Sequence, residues 1–482
     1  MTFGQAAQMG QTASWIRTGI ALAMLAPTGL AAAEDVSVYA TERQLTTTAQ
    51  GHILTNSGVW SHDSKWINYD VRSDPAGTLF DGTKIERINV ETGEIELLFE
   101  AKNGACVGVV TASPVDDRVV FIHGPEHPGS DWSYGQDRRR GVLVDVKHPG
   151  VATNLDARDL TPPFTPGALR GGSHVHVFSG DGQWVSFTYN DHVLSTLEET
   201  SRERDLDQRN VGVSIPIGPV RVATGHKRNH DGSCFSVLVT RTTNQPEPGS
   251  DEISRAFEDA WVGTNGYLRP DGTRQKRAIA FQGEVTTRTG EMIVEVFLVD
   301  LPDDLTKPGD GPLEGTMHRR PMPPAGTQQR RLTFTAGRKH PGLQGPRHWL
   351  RSSPDGSKIA FLMRDDAGVV QIWTVSPIGG EPVQVTANDA DVASAFSWSP
   401  DGRSIACVID GSIFVTEVVT GRSRRVTRRA ADGTVPRPEA CVFSPDGRQI
   451  AYLRPVEVDG RIWNQVFCVS VDQLPTAGEA RP

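Results

Sequence analysis

Ser399-Pro400-Asp401-Gly402, followed by Ile405-Ala406-Cys407, recurs as Ser353-Pro354-Asp355-Gly356 with Ile359-Ala360-Phe361 and as Ser444-Pro445-Asp446-Gly447 with Ile450-Ala451-Tyr452. The period is about 45 residues, the length of one four-stranded propeller blade. Pro and Asp set up the reversal and Gly supplies the backbone freedom it needs, so each copy turns one strand tightly into the next. The alternating apolar residues after each turn are those of a half-buried strand.

Weaker copies lie upstream. Ser179-Gly180-Asp181-Gly182 precedes Trp184 to Phe187, Ser61-His62-Asp63-Ser64 precedes Trp66-Ile67, and Ser113-Pro114 precedes Val119 to Phe121. A seventh blade is suggested by Asn229-His230-Asp231-Gly232 ahead of Phe235 to Val239, with further strands at 276–281 and 294–299. A second marker closes blades: Arg331-Leu332-Thr333, Gln384-Val385-Thr386 and Arg425-Val426-Thr427. The same signature at Gln44-Leu45-Thr46 precedes any blade, so this strand is expected to complete the last one and close the ring. The expectation is an all-β propeller of about seven four-stranded blades, ring closed by an N-terminal strand, spanning 34–482 as one domain with an insertion at about 244–276. Within the insertion, Ile253, Phe257 and Trp261 at four-residue spacing after Ser250 predict a short amphipathic helix.

The 482 residues carry a net charge of -9, with 49 Gly and 32 Pro. That acidity argues against a phosphate-backbone surface and hence against nucleic acid as partner; the basic runs at 138–140 and 424–429 read as solvated loops and strand ends. Residues 1–33 contain no acidic side chain, place Arg17 ahead of an apolar stretch from Gly19 to Leu25, and end in Ala31-Ala32-Ala33. This is the layout of a signal peptide, interrupted by Pro27 and Gly29 before it reaches membrane-spanning length. A periplasmic or secreted mature chain without a transmembrane segment follows, or a cytoplasmic one if translation starts later. The five Cys lack metal-like spacing and read as buried thiols.

In a propeller the first strand of each blade lines the channel, and ligands collect at one mouth. Counting five residues back from each turn Ser gives Asn56, Gly108, His174, His348, Ser394 and Glu439. His174 and His176 alternate along one strand and are expected on one side of it, with His348 approaching from two blades away. Three imidazoles from different strands suit one divalent transition metal, Mn or Zn, or a general base with orienting partners. Arg170 and Arg347 stand nearby as carboxylate ligands. A hydrolase elbow, a phosphate loop, H-E-x-x-H and paired C-x-x-C motifs are missing from the sequence.

The S-P-D-G turns and L-T strand ends resemble those of TolB-type propellers. Across nearly the whole mature chain, H-I-L-T-N from His52, F-I-H-G-P-E from Phe121, T-P-G-A-L-R-G-G-S-H-V-H-V-F-S from Thr165, S-F-T-Y-N-D-H-V from Ser186, P-G-S-D-E-I from Pro248 and F-L-M-R-D-D from Phe361 resemble the YidR-like family. A more distant similarity is to oligogalacturonate lyases, propeller enzymes that hold a divalent metal through histidines and cleave uronide chains by β-elimination; that resemblance implies His174, His176 and His348 as counterparts in kind. Two functions follow: a metal-dependent lyase or binder for acidic sugars, taking a small molecule or oligosaccharide, or a non-catalytic scaffold for a protein partner in the cell envelope.

Overall fold

In the computed structural model, which describes residues 39–197, 204–346 and 349–472, seven four-stranded antiparallel sheets follow one another along the chain. The expected leader at 1–33 and the site candidates Arg347 and His348 lie outside the described residues. Blade 1 runs Gly51–Ile53, Trp66–Arg72, Lys84–Asn89, Ile95–Glu100, and blade 2 runs Val107–Ala112, Arg118–His123, Arg140–Asp145, Ala152–Asn154. Blade 3 comprises Gly171–Phe178, Val185–Asp191, Asn210–Ile215 and Phe235–Leu238, and blade 4 Arg255–Trp261, Ala278–Thr286, Met292–Asp300 and Gln328–Arg331. Blades 5 and 6 begin at Arg351–Ser352 and Ser397–Trp398. In blade 7, Cys441–Phe443, Gln449–Val458 and Arg461–Ser470 are completed by Glu42–Gln44, so the two ends of the chain share a sheet as the L-T signature implied.

Two expectations are corrected. Phe235–Leu238 is the outermost strand of blade 3, not the start of a blade of its own. The segment expected to carry a helix, 251–261, instead holds the inner strand of blade 4 at Arg255–Trp261, and the remainder of the presumed insertion holds a small hairpin of Tyr267–Leu268 with Arg274–Gln275. A four-residue spacing fits a strand's alternation of two as well as a helix's period of 3.6, so the apolar residues alone did not separate the two; a bulge between Phe257 and Ala260 shifts the alternation within the strand.

The repeated turns close in one way. In blade 6 the Ser399 hydroxyl donates to Asp401 Oδ1 at 2.6 Å, Arg403 N–H donates to the same oxygen at 3.0 Å, and Ser404 N–H returns to Ser399 Oγ at 2.9 Å. Blades 1, 3, 5 and 7 repeat the Ser–Asp bond through Ser61, Ser179, Ser353 and Ser444. The L-T marker has an equally local cause: Thr46, Thr333, Thr386 and Thr427, all buried, accept through Oγ1 the N–H of Val466, Val296, Ile372 and Ile413 on the neighbouring strand. Apolar side chains gather between neighbouring blades: Phe281 and Phe297 of blade 4 meet Val211 and Val237 of blade 3, and Phe361 of blade 5 meets Leu298 of blade 4. At roughly 1.5–3 kcal/mol for each fully buried large side chain, these inter-blade layers hold the ring. The five cysteines are unpaired, four of them buried and Cys106 half-buried. Among the described residues no helix is long and apolar enough to cross a membrane.

Candidate functional site at the channel mouth

Each inner strand runs from one mouth of the channel to its Ser–Asp turn at the other, and the second strand returns. Gly171 therefore pairs with Asp191 and Gly172 with Asn190, which brings Tyr189, Asn190 and Asp191 to the mouth where the inner strands begin. The second-to-third-strand connections of blades 2 and 3, at 124–139 and 192–209, are the long ones, whereas blades 6 and 7 turn at Asp410-Gly411 and Asp459-Gly460. The described parts of these two connections meet where His192 Nδ1 lies 2.6 Å from Asp137 Oδ2.

Three adjacent inner strands are bulged at this level. The register slips between Gly108 and Thr111, between His174 and Val177, and between Phe257 and Ala260. Inside the bulges Val109, Val175 and Glu258 have φ of 59, 53 and 54. A branched or long L-residue in that region is strained, and such strain collects where side chains must be re-aimed for function. In blade 2 the strained amide is held in place, Val109 N–H donating to Asp70 Oδ1 at 2.9 Å.

The bulge separates the two histidines. His176 is fully buried, its Nε2 lies 3.0 Å from Ser173 Oγ, and burial lowers its pKa to about 3. Ser173 Oγ in turn donates to Asp156 Oδ1 at 3.0 Å, and Asp156 also accepts Gly141 N–H at 2.8 Å. A catalytic triad places the imidazole between hydroxyl and acid; here the hydroxyl is central and all three groups are shut off from solvent, so the trio bolts blade 3 to blade 2. The expectation that His174 and His176 present together to a metal is corrected accordingly. Among the described residues no three His, Cys, Asp or Glu are placed to hold a metal ion.

His174 is the histidine at the mouth. Its Nδ1 lies 3.2 Å from the Thr188 carbonyl, which can only accept, so Nδ1 carries the proton. Burial first, then the charges of Arg139 and Arg209, hold its pKa well below 6.5. The ring is therefore neutral at physiological pH, and its Nε2 offers a lone pair with no hydrogen-bond partner among the described residues. Arg139 donates from Nη1 to Tyr134 Oη at 3.1 Å and leaves Nε buried without a partner. Arg209 makes one long bond, Nε to Asn190 Oδ1 at 3.4 Å, and burial and the charge of Arg139 lower its pKa.

The same level of the channel carries a polar belt. Thr188, whose carbonyl takes His174, places Oγ1 3.4 Å from Asp259 Oδ1 in blade 4. Burial pushes the Asp259 carboxyl up to about 6, and its Oδ2 has no hydrogen-bond partner among the described residues. Next comes Arg351 of blade 5, near the Asp259 and Glu258 charges, its pKa lowered by burial to about 10. Arg351 reaches across to blade 1, where Nη2 donates to the Asn56 carbonyl at 3.1 Å and to Asn56 Oδ1.

Of the residues singled out from the sequence, Asn56 and His174 do share this level. Glu439 is largely buried and paired with Arg437 at 3.5 Å. Arg170 does not bind at the mouth: it is 1% exposed, with Nε on Asp191 Oδ2 at 2.8 Å and Nη1 and Nη2 donating to the carbonyls of Thr316 and Arg319. It anchors the strap that follows blade 4's third strand. Arg139, Arg209, Arg351 and Asp259 were missed. Arg139 stood in a run read as solvated, and Asp259 in a segment read as helix.

Comparison with known proteins agrees with this architecture. A family profile described as "Protein of unknown function (DUF3748)" matches residues 106–230, which span blades 2 and 3. The chain is 47% identical over 425 residues to the "Uncharacterized protein YidR" of Escherichia coli (strain K12), covering 87% of this chain and 96% of that protein. Among solved structures, an oligogalacturonate lyase in complex with manganese superposes with a TM-score of 0.52 at 14% identity, covering 92% of this chain and 95% of the other. An oligogalacturonate lyase from Vibrio parahaemolyticus gives 0.52 at 11% identity, covering 91% and 95%. At such identities the likeness is one of fold.

Proposed function

Since the chain belongs to the family of the Escherichia coli YidR protein, we propose for its propeller the role of a receptor for small acidic ligands, acidic sugars first, at the mouth over blades 2 and 3. The observation that carries this reading is the pair Arg139 and Arg209: both flank His174, the Arg139 charge disfavours that of Arg209, and neither has a carboxylate within salt-bridge distance among the described residues, Glu258 and Asp207 acting on Arg209 only from farther off. Two neighbouring guanidiniums without a directly paired carboxylate are an arrangement for receiving an anion. Uronides are the first ligands to try because the fold is shared with oligogalacturonate lyases.

The finer reading is a lyase. With a uronate carboxylate on Arg139 and Arg209, His174 Nε2 is the base that takes the proton from the carbon beside the carboxylate; the electron pair forms a carbon–carbon double bond to the neighbouring carbon as the C–O bond to the leaving sugar breaks, and that oxygen takes a proton from solvent. A divalent metal, Mn or Zn, would supply further polarisation of the carboxylate. The described residues do not fit it, since His176 is closed off in the bolt to blade 2, so the elimination is assigned to the arginines and His174 without it. Export through cleavage of a leader near residue 33 belongs to the same proposal; the N-terminus of protein recovered from a periplasmic fraction tests it.

The test is calorimetric titration with digalacturonate, followed by ultraviolet detection of an unsaturated product. Binding that is lost in Arg139→Gln and Arg209→Gln supports the receptor, and product that disappears in His174→Ala supports the lyase. Absence of heat with uronides at millimolar concentration, together with a protein captured through the same mouth, would favour the scaffold and sink the proposal.

A further inference from the structure

Arg351, half-buried, differs from three other arginines of the molecule. Arg170 has Asp191 at 2.8 Å, Arg72 has Asp70 at 2.9 Å and Arg331 has Glu295 at 2.9 Å. Arg351 has three neutral acceptors instead, the carbonyls of Leu350 and Asn56 and the Asn56 amide oxygen, while its Nε is buried with no partner among the described residues. Asp259 and Glu258 lie close enough to be felt but outside salt-bridge distance. A guanidinium held from water without an acidic partner is costly; Arg158 shares that condition but engages Nε and Nη2 on the carbonyls of Gly171 and Arg139, whereas Arg351 leaves Nε without a partner among the described residues.

Its position gives the ligand. Asn56, which Arg351 touches, shares the register of His174, and the belt from His174 through Thr188 and Asp259 leads to Arg351 at that same level. The channel thus holds an unpaired cationic group on either side: Arg139 and Arg209 beside blade 3, and Arg351 between blades 5 and 1. A bound anion can replace the Asn56 amide on Arg351 without any carboxylate having to leave.

We infer that Arg351 is the receptor for a second anionic group, so that the ligand of this mouth carries at least two negative charges held apart on one small molecule. The inference rests on the proposed acidic-ligand reading and adds to it a charge requirement and the residue that reads it. Carboxylate and phosphate present the same oxygens to a guanidinium, and the probes separate them.

The experiment compares galacturonate, digalacturonate and galacturonate 1-phosphate by calorimetry against the wild type, Arg351→Gln and Asn56→Ala. In the wild type the two dianions are expected to bind at least tenfold more tightly than galacturonate, the preferred one identifying the second group. Arg351→Gln should abolish that advantage while leaving galacturonate affinity within about twofold. Asn56→Ala removes the competing neutral partner and should tighten dianion binding, a gain that damage to the fold cannot mimic. An unchanged dianion advantage in Arg351→Gln, or weaker dianion binding in Asn56→Ala, overturns the inference while the acidic-ligand reading stands. Failure of all three probes on the wild type overturns that reading as well.

Discussion

Arg170 and His174 are four residues apart, yet burial assigns them opposite tasks. Arg170 is locked by Asp191 and by the carbonyls of Thr316 and Arg319, and Asp191 also caps Leu194 N–H at 2.9 Å. Arg170→Ala would leave the Asp191 carboxylate buried without its cation, a loss expected to cost about 3–5 kcal/mol in urea unfolding; a change below about 1 kcal/mol would show the strap to be held by other contacts. Burial also fixes the pH dependence. His52, His123 and His176 are pushed down to about 4, 4 and 3, so between pH 6.5 and those values the unfolded chain takes up protons that the folded chain refuses. Stability present above 6.5 is therefore lost on acidification. Asp207 opposes the trend: burial raises it to about 6 from 3.8, so the folded state binds its proton first and gains stability as pH falls through that window. Asp207→Asn, which keeps an oxygen for Asp191 N–H, should raise stability at neutral pH by on the order of 1 kcal/mol and make the acid loss steeper. Urea midpoints measured from neutral pH down to about pH 4.5 decide it, and a shallower loss in the variant would contradict this account.

At the scale of the element, the Ser–Asp turn was legible because its bonds close within six residues, so the residues that form it are the residues that signal it. Gly402, Gly356 and Gly447 occupy φ of 70, 75 and 74, where a side chain is strained. Because the three turns have the same bonding, Asp355→Ala, Asp401→Ala and Asp446→Ala should each cost about 1–2 kcal/mol in thermal or chemical unfolding. Losses that differ severalfold between blades would mean that the turns carry unequal shares of the ring. What escaped the sequence has more than one physical origin. A bulge inserts a residue into an alternating strand, so it displaced His176 from the side where alternation put it, while the four-residue spacing of Ile253, Phe257 and Trp261 suits a strand as well as a helix. Arg139 and Arg209 escaped for another reason: they end long connections whose course is set by contacts distant in sequence, such as Arg158 Nη2 on the Arg139 carbonyl at 2.6 Å. The register count found Asn56 and His174 because it counts within an element, and overlooked Arg351 because a long side chain covers two residues of strand.

The whole molecule depends on a closure that no single blade contains. Glu42–Gln44 supplies the outer strand of blade 7, pairing Glu42 with Val469 and Gln44 with Phe467. Tyr452 Oη donates to the Glu42 carboxylate at 2.6 Å and Arg454 holds both of its oxygens at 2.8 Å. Val466 N–H donates to Thr46 Oγ1 at 2.9 Å, and Ala40 N–H reaches the Val426 carbonyl of the preceding blade at 2.9 Å. Removing residues through 48 would uncover the N–H and C=O groups of the strand from Val466 to Val469, an open edge of the kind that pairs with other chains. The truncated protein is expected to melt roughly 10 °C lower or more and to self-associate. Glu42→Gln, which keeps the strand and removes its charge, should cost no more than about 2 kcal/mol and leave the oligomeric state of the full chain unchanged. A synthetic peptide of residues 39–48 added to the truncated chain should restore both the melting temperature and the oligomeric state of the full chain, because the strand acts by pairing and not by its covalent attachment. A truncated chain that melts with the full one and associates no further would mean that the inter-blade packing closes the ring unaided. In that event the convergence of Asn56, His174 and Arg351 on one level would have to be attributed to the blades' mutual packing alone.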